Sequence, residues 1–286
     1  MVLGKRCGAL AQNNMETIKR LIKRTLNATG INWLIHSVAF RWQATRPVTY
    51  RGCVFHCSSR LEYEQQLLRG DYNEDLVIGH IEKSLAGRQG VFLDIGANIG
   101  VFSLCIGSQP GVQVMSFEPE PLNFKRLRRN IATNREAHVR PFNLACGDVH
   151  GSSLDFTVPF NGNRGVPFVG RYENPPIFAL ELKVPCVAID KFLEEAGIRE
   201  IAGFKIDVEG YELEVLRGME ATLRHSPDCR GLVEMHCDLR EVSPVAVQEL
   251  LVRAGFGLQE ITRDGALTPY HTDRHDNHAI WVEKRP

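Results

Sequence analysis

Between Val91 and Leu104 the spacing of apolar residues changes period within one short stretch. Val91, Phe92 and Leu93 form an apolar run that ends at Asp94. The chain then passes through Gly96, Ala97, Asn98, Ile99 and Gly100, and Val101, Phe102 and Leu104 resume at helical spacing. Such a run, broken by glycines and followed by a period near 3.6, predicts strand, turn and helix in that order. The pattern recurs downstream: Val112 to Phe117 ends at Glu118, and after Pro119 and Pro121 the residues Phe124, Leu127 and Ile131 share one helical face. His138 to Leu144 reads as a third strand, closed by the turn Ala145-Cys146-Gly147-Asp148.

Past residue 150 the alternation of strand and helix breaks. Leu154 to Val158 and Ala179 to Val184 alternate apolar and polar residues as paired strands do. Between them Asn161 to Gly165, together with four prolines, reads as a long loop. Long loops in compact domains are functional lids or mobile segments; acceptor recognition through Arg164, Arg171 and Tyr172 is the first reading and plain mobility the second. Alternation returns at Phe204, Ile206 and Val208, which puts Lys205, Asp207 and Glu209 on one side of an extended run ending at Gly210, with helix following to Met219. Gly231 to Cys237 is another strand, on which Glu234 and His236 face the same way. A helix from Val245 to Ala254, capped by Gly255, precedes a hairpin of Leu258 to Thr262 with Asn277 to Glu283.

The N-terminal part is less regular. Ile18, Leu21, Ile22, Thr25 and Leu26 form one helical face over residues 16–26, with Lys19, Arg20, Lys23 and Arg24 on the other, and the aromatic run Ile31 to Trp42 follows. A basic amphipathic helix of this kind suits a membrane surface, giving peripheral contact; covering its own domain is the alternative. Thr49 to Cys57 predicts one or two short strands about Arg51-Gly52, Leu61 to Leu68 a short helix, and Tyr72 to Leu85 another, with Tyr72 a candidate lid residue or plain packing.

Candidate chemistry starts at the first turn. Glycines there permit close approach of a ligand, and the helix that follows offers unpaired N–H groups to an anion, which together suit a nucleotide. The spacing is not the dinucleotide pattern G-x-G-x-x-G: Gly96 and Gly100 stand alone, and Asp94 lies two residues before the first. A carboxylate beside the turn disfavours a pyrophosphate and suits a ligand with an ammonium group, such as S-adenosylmethionine. An ordinary strand-helix connection would give the same residues. Glu118 falls about 20 residues on, the spacing at which an acid accepts from ribose hydroxyls; it would equally favour the start of the next helix.

Taken together, Asp94 to Gly100 (Asp-Ile-Gly-Ala-Asn-Ile-Gly), Phe117 to Phe124, Ile189-Asp190-Lys191, Phe204 to Glu212 and Glu234 to His236 resemble the signature blocks of FkbM-type methyltransferases, over roughly residues 75–284. The resemblance implies a class I methyltransferase (Rossmann-like) α/β fold, with a seven-stranded, mostly parallel sheet and a C-terminal antiparallel hairpin. It implies S-adenosyl-L-methionine as donor and O-methylation of a hydroxyl on a sugar, glycan or secondary metabolite. Residues 75–286 would form that domain, with an insert at about 151–188, and residues 1–74 an N-terminal, partly helical extension. Donor contacts are expected from Asp94, Gly96, Asn98, Gly100, Glu118, Asn143, Ala145 and Asp207, with Asp148 a further adenine-side candidate.

Catalysis needs alignment and a group to take the acceptor's proton. The crevice of an open parallel sheet lies beyond the carboxyl ends of its strands, where Asp207, Glu209, Glu234 and His236 are expected to meet. His236 is the preferred base because an unperturbed imidazole is neutral at neutral pH, with Asp207 orienting it or the donor. A divalent cation held by Asp207, Glu209, Glu234 or His236 is the rival within the same reaction. Outside it stand an NAD-dependent oxidoreductase and a non-catalytic nucleotide-binding scaffold.

Composition adds limits. The 286 residues carry 34 basic and 34 acidic side chains, so no global attraction to nucleic acid arises; a small-molecule or glycan acceptor is expected instead. No run approaches 18 uninterrupted apolar residues and no secretion signal is evident, which predicts a cytoplasmic protein. The eight cysteines are then free thiols; Cys53, His56, Cys57, His236 and Cys237 do not match a four-ligand zinc spacing.

Overall fold

The computed structural model describes residues 45–59, 61–159, 168–170, 179–236, 244–262, 265–271 and 278–285. The basic helix expected over residues 16–26, the aromatic run to Trp42, Arg164, Arg171, Tyr172 and Cys237 lie outside the described residues.

The described chain opens with an antiparallel hairpin, β1 (Thr45–Tyr50) and β2 (Cys53–Ser58). Its two turn residues, Arg51 and Gly52, have φ of 47° and 79°, the left-handed pair that a two-residue hairpin turn requires. Helices α1 (Glu62–Arg69) and α2 (Asp75–Leu85) lead into β3 (Gly90–Ile95), α3 (Val101–Gly107), β4 (Val112–Phe117), α4 (Pro121–Thr133) and β5 (Val139–Phe142). Next come β6 (Ala145–Cys146), β7 (Ser152–Pro159), β8 (Phe168–Val169) and β9 (Ala179–Val187), which form a separate sheet in the order β6-β9-β7-β8. The strands expected on either side of the long loop do pair, antiparallel, with Leu154 opposite Val184 and Val158 opposite Leu180.

The remainder is α5 (Ile189–Glu195), β10 (Gly203–Ile206), α6 (Glu212–Arg217), α7 (Glu220–His225), β11 (Arg230–Met235), α8 (Pro244–Arg253), β12 (Phe256–Ile261), β13 (Leu267–Pro269) and β14 (His278–Lys284). The main sheet runs β13-β12-β14-β11-β10-β3-β4-β5. Strands β5, β4, β3, β10 and β11 are mutually parallel; β14 runs antiparallel to β11, and β12 antiparallel to β14. This is the class I arrangement with its seven strands and closing hairpin, to which the three-residue β13 adds an eighth at the edge.

Side chains of β3 alternate between the faces of the sheet, as the period of two requires. Leu93 and Ile95 join one core with Phe117, Phe204, Ile206 and Phe256. Phe92 joins the other with Val114, Leu232, Trp281 and Phe55 of the hairpin. Burying each such side chain contributes about 1.5–3 kcal/mol. From β3 the chain proceeds to β4 on one side and later returns as β10 on the other, so the crevice beyond their carboxyl ends is where such a sheet takes its ligand. Among the described residues no helix is long and apolar enough to cross a membrane.

Candidate functional site

The turn after β3 is built on backbone conformations that most residues avoid: Gly96, Asn98 and Gly100 have φ of 83°, 50° and 91°. A Cβ on Gly96 would stand 1.8 Å from the Asp207 carbonyl oxygen, and one on Gly100 would stand 2.5 Å from Leu127 Cδ1. The chain's own neighbours therefore demand these glycines, in keeping with the tight backbone geometry that the sequence suggested beside close ligand approach. The N–H groups of Gly96 and Ala97 are likewise spent, donating to the Phe117 carbonyl at 2.9 and 3.0 Å.

Glu118, just past β4, is 5 % exposed and closes this turn. One carboxylate oxygen accepts from Asn98 N at 2.8 Å and the other from Glu120 N at 2.9 Å. Each oxygen keeps a second lone pair. Glu118 lines a cavity of about 70 Å³ with Phe117, Leu144, Ala145, Phe156 and Tyr211. Burial, working against those two N–H bonds, raises its pKa from 4.5 to about 8. A carboxyl whose folded value exceeds its unfolded one stabilises the fold below pH 4.5 and loses that contribution as pH rises through 8. Thermal melts of the ligand-free protein between these limits are expected to fall less steeply with pH in Glu118→Gln than in the parent; equal slopes would refute the assignment.

The other donor-side expectations divide. Asn98, Gly96 and Ala145 line this cavity, and Asp207 does so from the neighbouring strand. Asn143 turns inward, its amide donating to the carbonyls of Glu118 and Pro119 at 2.8 and 3.1 Å, so it braces the Glu118 segment and lines neither cavity described here. Asp94 is fully buried beneath the turn. Its Oδ2 accepts from Ser103 Oγ at 2.5 Å and its Oδ1 stands 3.8 Å from Lys205 Nζ. One ammonium beside Asp94 is the protein's own. Lys205, opposite Asp94 in the parallel register, donates to the Gly96 carbonyl and to Asp207 Oδ2, both at 3.0 Å. Although burial opposes it, the charges of Asp207 and Asp94 hold its pKa above the ordinary lysine value, so it stays cationic. Sequence reasoning placed Lys205 on the same face as Asp207 and Glu209 but gave it no role; the signal was a lysine in an otherwise apolar strand, two residues before Asp207.

A second cavity, of about 470 Å³, adjoins the first and shares Gly96, Asn98, Asn123, Asp207 and Glu209 with it. Tyr72, Glu74, Lys205, Glu234 and His236 also line it. Tyr72 is buried and donates to Glu74, so it is a wall residue. The four expected catalytic residues are thus at one cavity, from the ends of β10 and β11. His236 Nε2 stands 3.7 Å from Asp207 Oδ1 and 3.5 Å from Glu209 Oε2. Its Nδ1 donates to Glu212 Oε1 at 3.0 Å, and the same oxygen accepts from Gly210 N at 2.9 Å. Glu212 is fully buried and went unrecognised in the sequence, where it reads as an acid at a helix start. Glu209 holds φ of 54°, a conformation rare outside glycine and found where a site over-determines its backbone. Glu234 makes no hydrogen bond or ion pair among the described residues.

Electrostatics bear on the choice of base. Burial alone would lower the His236 pKa, but the Glu212 hydrogen bond and the charges of Asp207 and Glu209 outweigh it and raise the value to about 10. The unliganded imidazole is thus protonated at neutral pH and is no free base. Burial and then the Asp207 charge raise Glu209 to about 7, with His236 opposing, and burial pushes Glu234 well above the ordinary carboxylate range. Cys53 and Cys57 are buried free thiols; the described metal-ligating residues that converge are Asp207, Glu209 and His236.

Comparison with known proteins bears on the same residues. The profile of the Methyltransferase FkbM domain matches residues 94–256, from the acid of the first turn to the start of β12. Methyltransferase 1 of Beauveria bassiana is 29% identical over 143 residues, covering 45% of this chain and 57% of its own length. Hexuronic acid methyltransferase AglP of Haloferax volcanii is 30% identical over 198 residues, covering 68% of this chain and 73% of its own. The 31-O-demethyl-FK506 methyltransferase FkbM of Streptomyces tacrolimicus is 32% identical over 154 residues, or 46% and 59%. The chain thus spans between 57% and 73% of the length of these three relatives.

Proposed function

Since the chain belongs to the FkbM methyltransferase family, we propose that it transfers a methyl group from S-adenosyl-L-methionine to a hydroxyl of a sugar, glycan or secondary metabolite. The observation that carries this reading is the pair of joined cavities, one floored by Glu118 and the other walled by Asp207, Glu209, Glu234 and His236. In this reading the free lone pairs of Glu118 accept from the ribose hydroxyls, Ala145 and Leu144 border the adenine, and the larger cavity takes the methionyl end and the acceptor. Carboxylates on both cavities suit a sulfonium and an ammonium and would repel a pyrophosphate, which argues against the oxidoreductase alternative. Two relatives, one named for a hexuronic acid and one for the 31-O position of FK506, support an oxygen acceptor.

The donor supplies an electrophilic methyl on a sulfonium whose sulfur departs neutral. The protein's part is alignment, in which correct placement of reacting atoms is worth several kcal/mol, and removal of the hydroxyl proton. With His236 already protonated, that proton goes to a carboxylate. Glu234 is the candidate once the sulfonium of the bound donor offsets the burial that raises its pKa and leaves it ionised, because Asp207 is engaged by Lys205 and both Asp207 and Glu209 face His236. Glu209, Asp207 and His236 then hold the acceptor's approach.

Calorimetry on the full chain tests the reading. S-adenosylmethionine and S-adenosylhomocysteine are expected to bind and NAD to give no heat; binding of NAD alone would overturn it, and binding of none would favour a scaffold. Isotopically labelled donor, with mass spectrometry of incubated extracts, would then identify the acceptor.

A further inference from the structure

We propose that Asp207, Glu209 and His236 bind one divalent cation of the Mn2+ type at the wall of the larger cavity. The site deepens the methyltransferase reading, on which only the cation's chemical use rests; its binding does not. One donor atom from each of the three residues lies within 4.8 Å of the others. Two ligands at about 2.1 Å from a common ion, at tetrahedral to octahedral angles, stand about 3.0–3.4 Å apart. His236 Nε2 is 3.5 Å from Glu209 Oε2 and 3.7 Å from Asp207 Oδ1, within a few tenths of an ångström of that range for both pairs that include the imidazole.

The surroundings of the three residues point the same way. A carboxylate only accepts, so the Glu212 contact keeps a hydrogen on His236 Nδ1, and Nε2, which faces the two acids, becomes a ligand as the arriving cation displaces its proton to solvent. A carboxylate behind a ligating imidazole is the usual outer support of a metal site. A sulfonium has no use for an imidazole nitrogen aimed at two carboxylates. Independently, Glu234 lines the same cavity with no hydrogen bond or ion pair among the described residues, and Glu212 Oε2 is fully buried without a partner. Glu74, Asp207, Glu209 and Glu234 all line this cavity, and a cation among them would offset the cost of enclosing their carboxyl groups. Two carboxylate oxygens with one imidazole suit Mn2+ better than Mg2+, which prefers oxygen alone.

Three protein ligands leave open positions on the cavity side. An acceptor hydroxyl bound there becomes more acidic. Its proton passes to the Glu234 carboxylate, the oxygen forms its bond to the methyl carbon as the carbon–sulfur bond breaks, and the sulfur keeps the electron pair.

The experiment titrates the chelator-treated, desalted full chain with Mn2+ and follows the free-ion EPR signal. One bound equivalent is expected in the parent, with affinity at least tenfold weaker in His236→Ala and Glu209→Gln, and about 10–100-fold weaker in Glu212→Gln, which acts by positioning His236. Circular dichroism screens the variants for folding, and the isosteric Glu209→Gln serves if His236→Ala does not fold. No uptake of Mn2+ at millimolar concentration, or equal affinity in the folded variants, overturns the site. S-adenosylhomocysteine is titrated in parallel: its binding without Mn2+ uptake removes the cation and leaves methyl transfer, whereas Mn2+ uptake without it does the reverse.

Discussion

Replacing Glu234 with glutamine is expected to lower turnover by about 10²–10⁴-fold at saturating donor, the usual worth of a positioned proton acceptor, while donor affinity stays at the parent value. The carboxylate lines the cavity where the acceptor would sit, and its oxygens have no committed partner among the described residues. Glutamine keeps the shape and the hydrogen-bonding reach but cannot take a proton. A single-turnover measurement separates the two effects, since loss in the chemical step alone leaves the dissociation constant for S-adenosylhomocysteine unmoved. Unchanged turnover, or a loss that disappears at high donor concentration, would remove Glu234 from the chemistry. In either case His236→Ala is not equivalent to it, because the imidazole is held as a cation by the carboxylates around it.

The second large effect concerns stability. Glu64 on α1 is fully buried; its Oε2 accepts from Ser58 N at 2.5 Å and pairs with Arg126 of α4, itself 6 % exposed. Removing one member of a buried pair strands the other, at a cost of about 3–5 kcal/mol. Glu64→Ala is therefore expected to lose about that much in urea unfolding of the full chain. The double variant Glu64→Leu with Arg126→Met should recover most of it, since well-packed apolar residues can replace a buried pair. A loss below about 1 kcal/mol, the range of an exposed pair, would show the contact to be dispensable. The site would feel the change as well, because Leu61, Glu62, Tyr63 and Gln66 of the same segment line the larger cavity. Donor affinity should fall in parallel with stability in Glu64→Ala and return with it in the double variant.

That cavity wall marks a boundary between what could be read from the chain and what could not. Periodicity located β3, β4, β10, β11 and the closing hairpin, because apolar runs and alternation are local consequences of burying one or both faces of a strand. The glycine turn and the acid after β4 were legible for the same reason: positive φ at residues 96 and 100 and a carboxylate closing a turn are requirements of a few consecutive residues. Even there the particular neighbour was not legible. Gly96 is a glycine because the Asp207 carbonyl passes 111 positions later in the chain, a contact no window could include.

Alone, then, the sequence determined the strand-helix alternation, the family blocks, and the candidate group Asp207, Glu209, Glu234 and His236. Tertiary structure decided the rest. It filled the space above Asp94 with Lys205, put Glu212 behind His236, turned Asn143 away from the cavities, and made residues 61–74 part of the cavity wall. The reason is physical: spacing along a strand fixes which way a side chain points, whereas charge state and partners depend on what other segments bring within a few ångströms. An imidazole that reads as neutral by itself becomes a cation, or a metal ligand, only when Asp207, Glu209 and Glu212 converge on it.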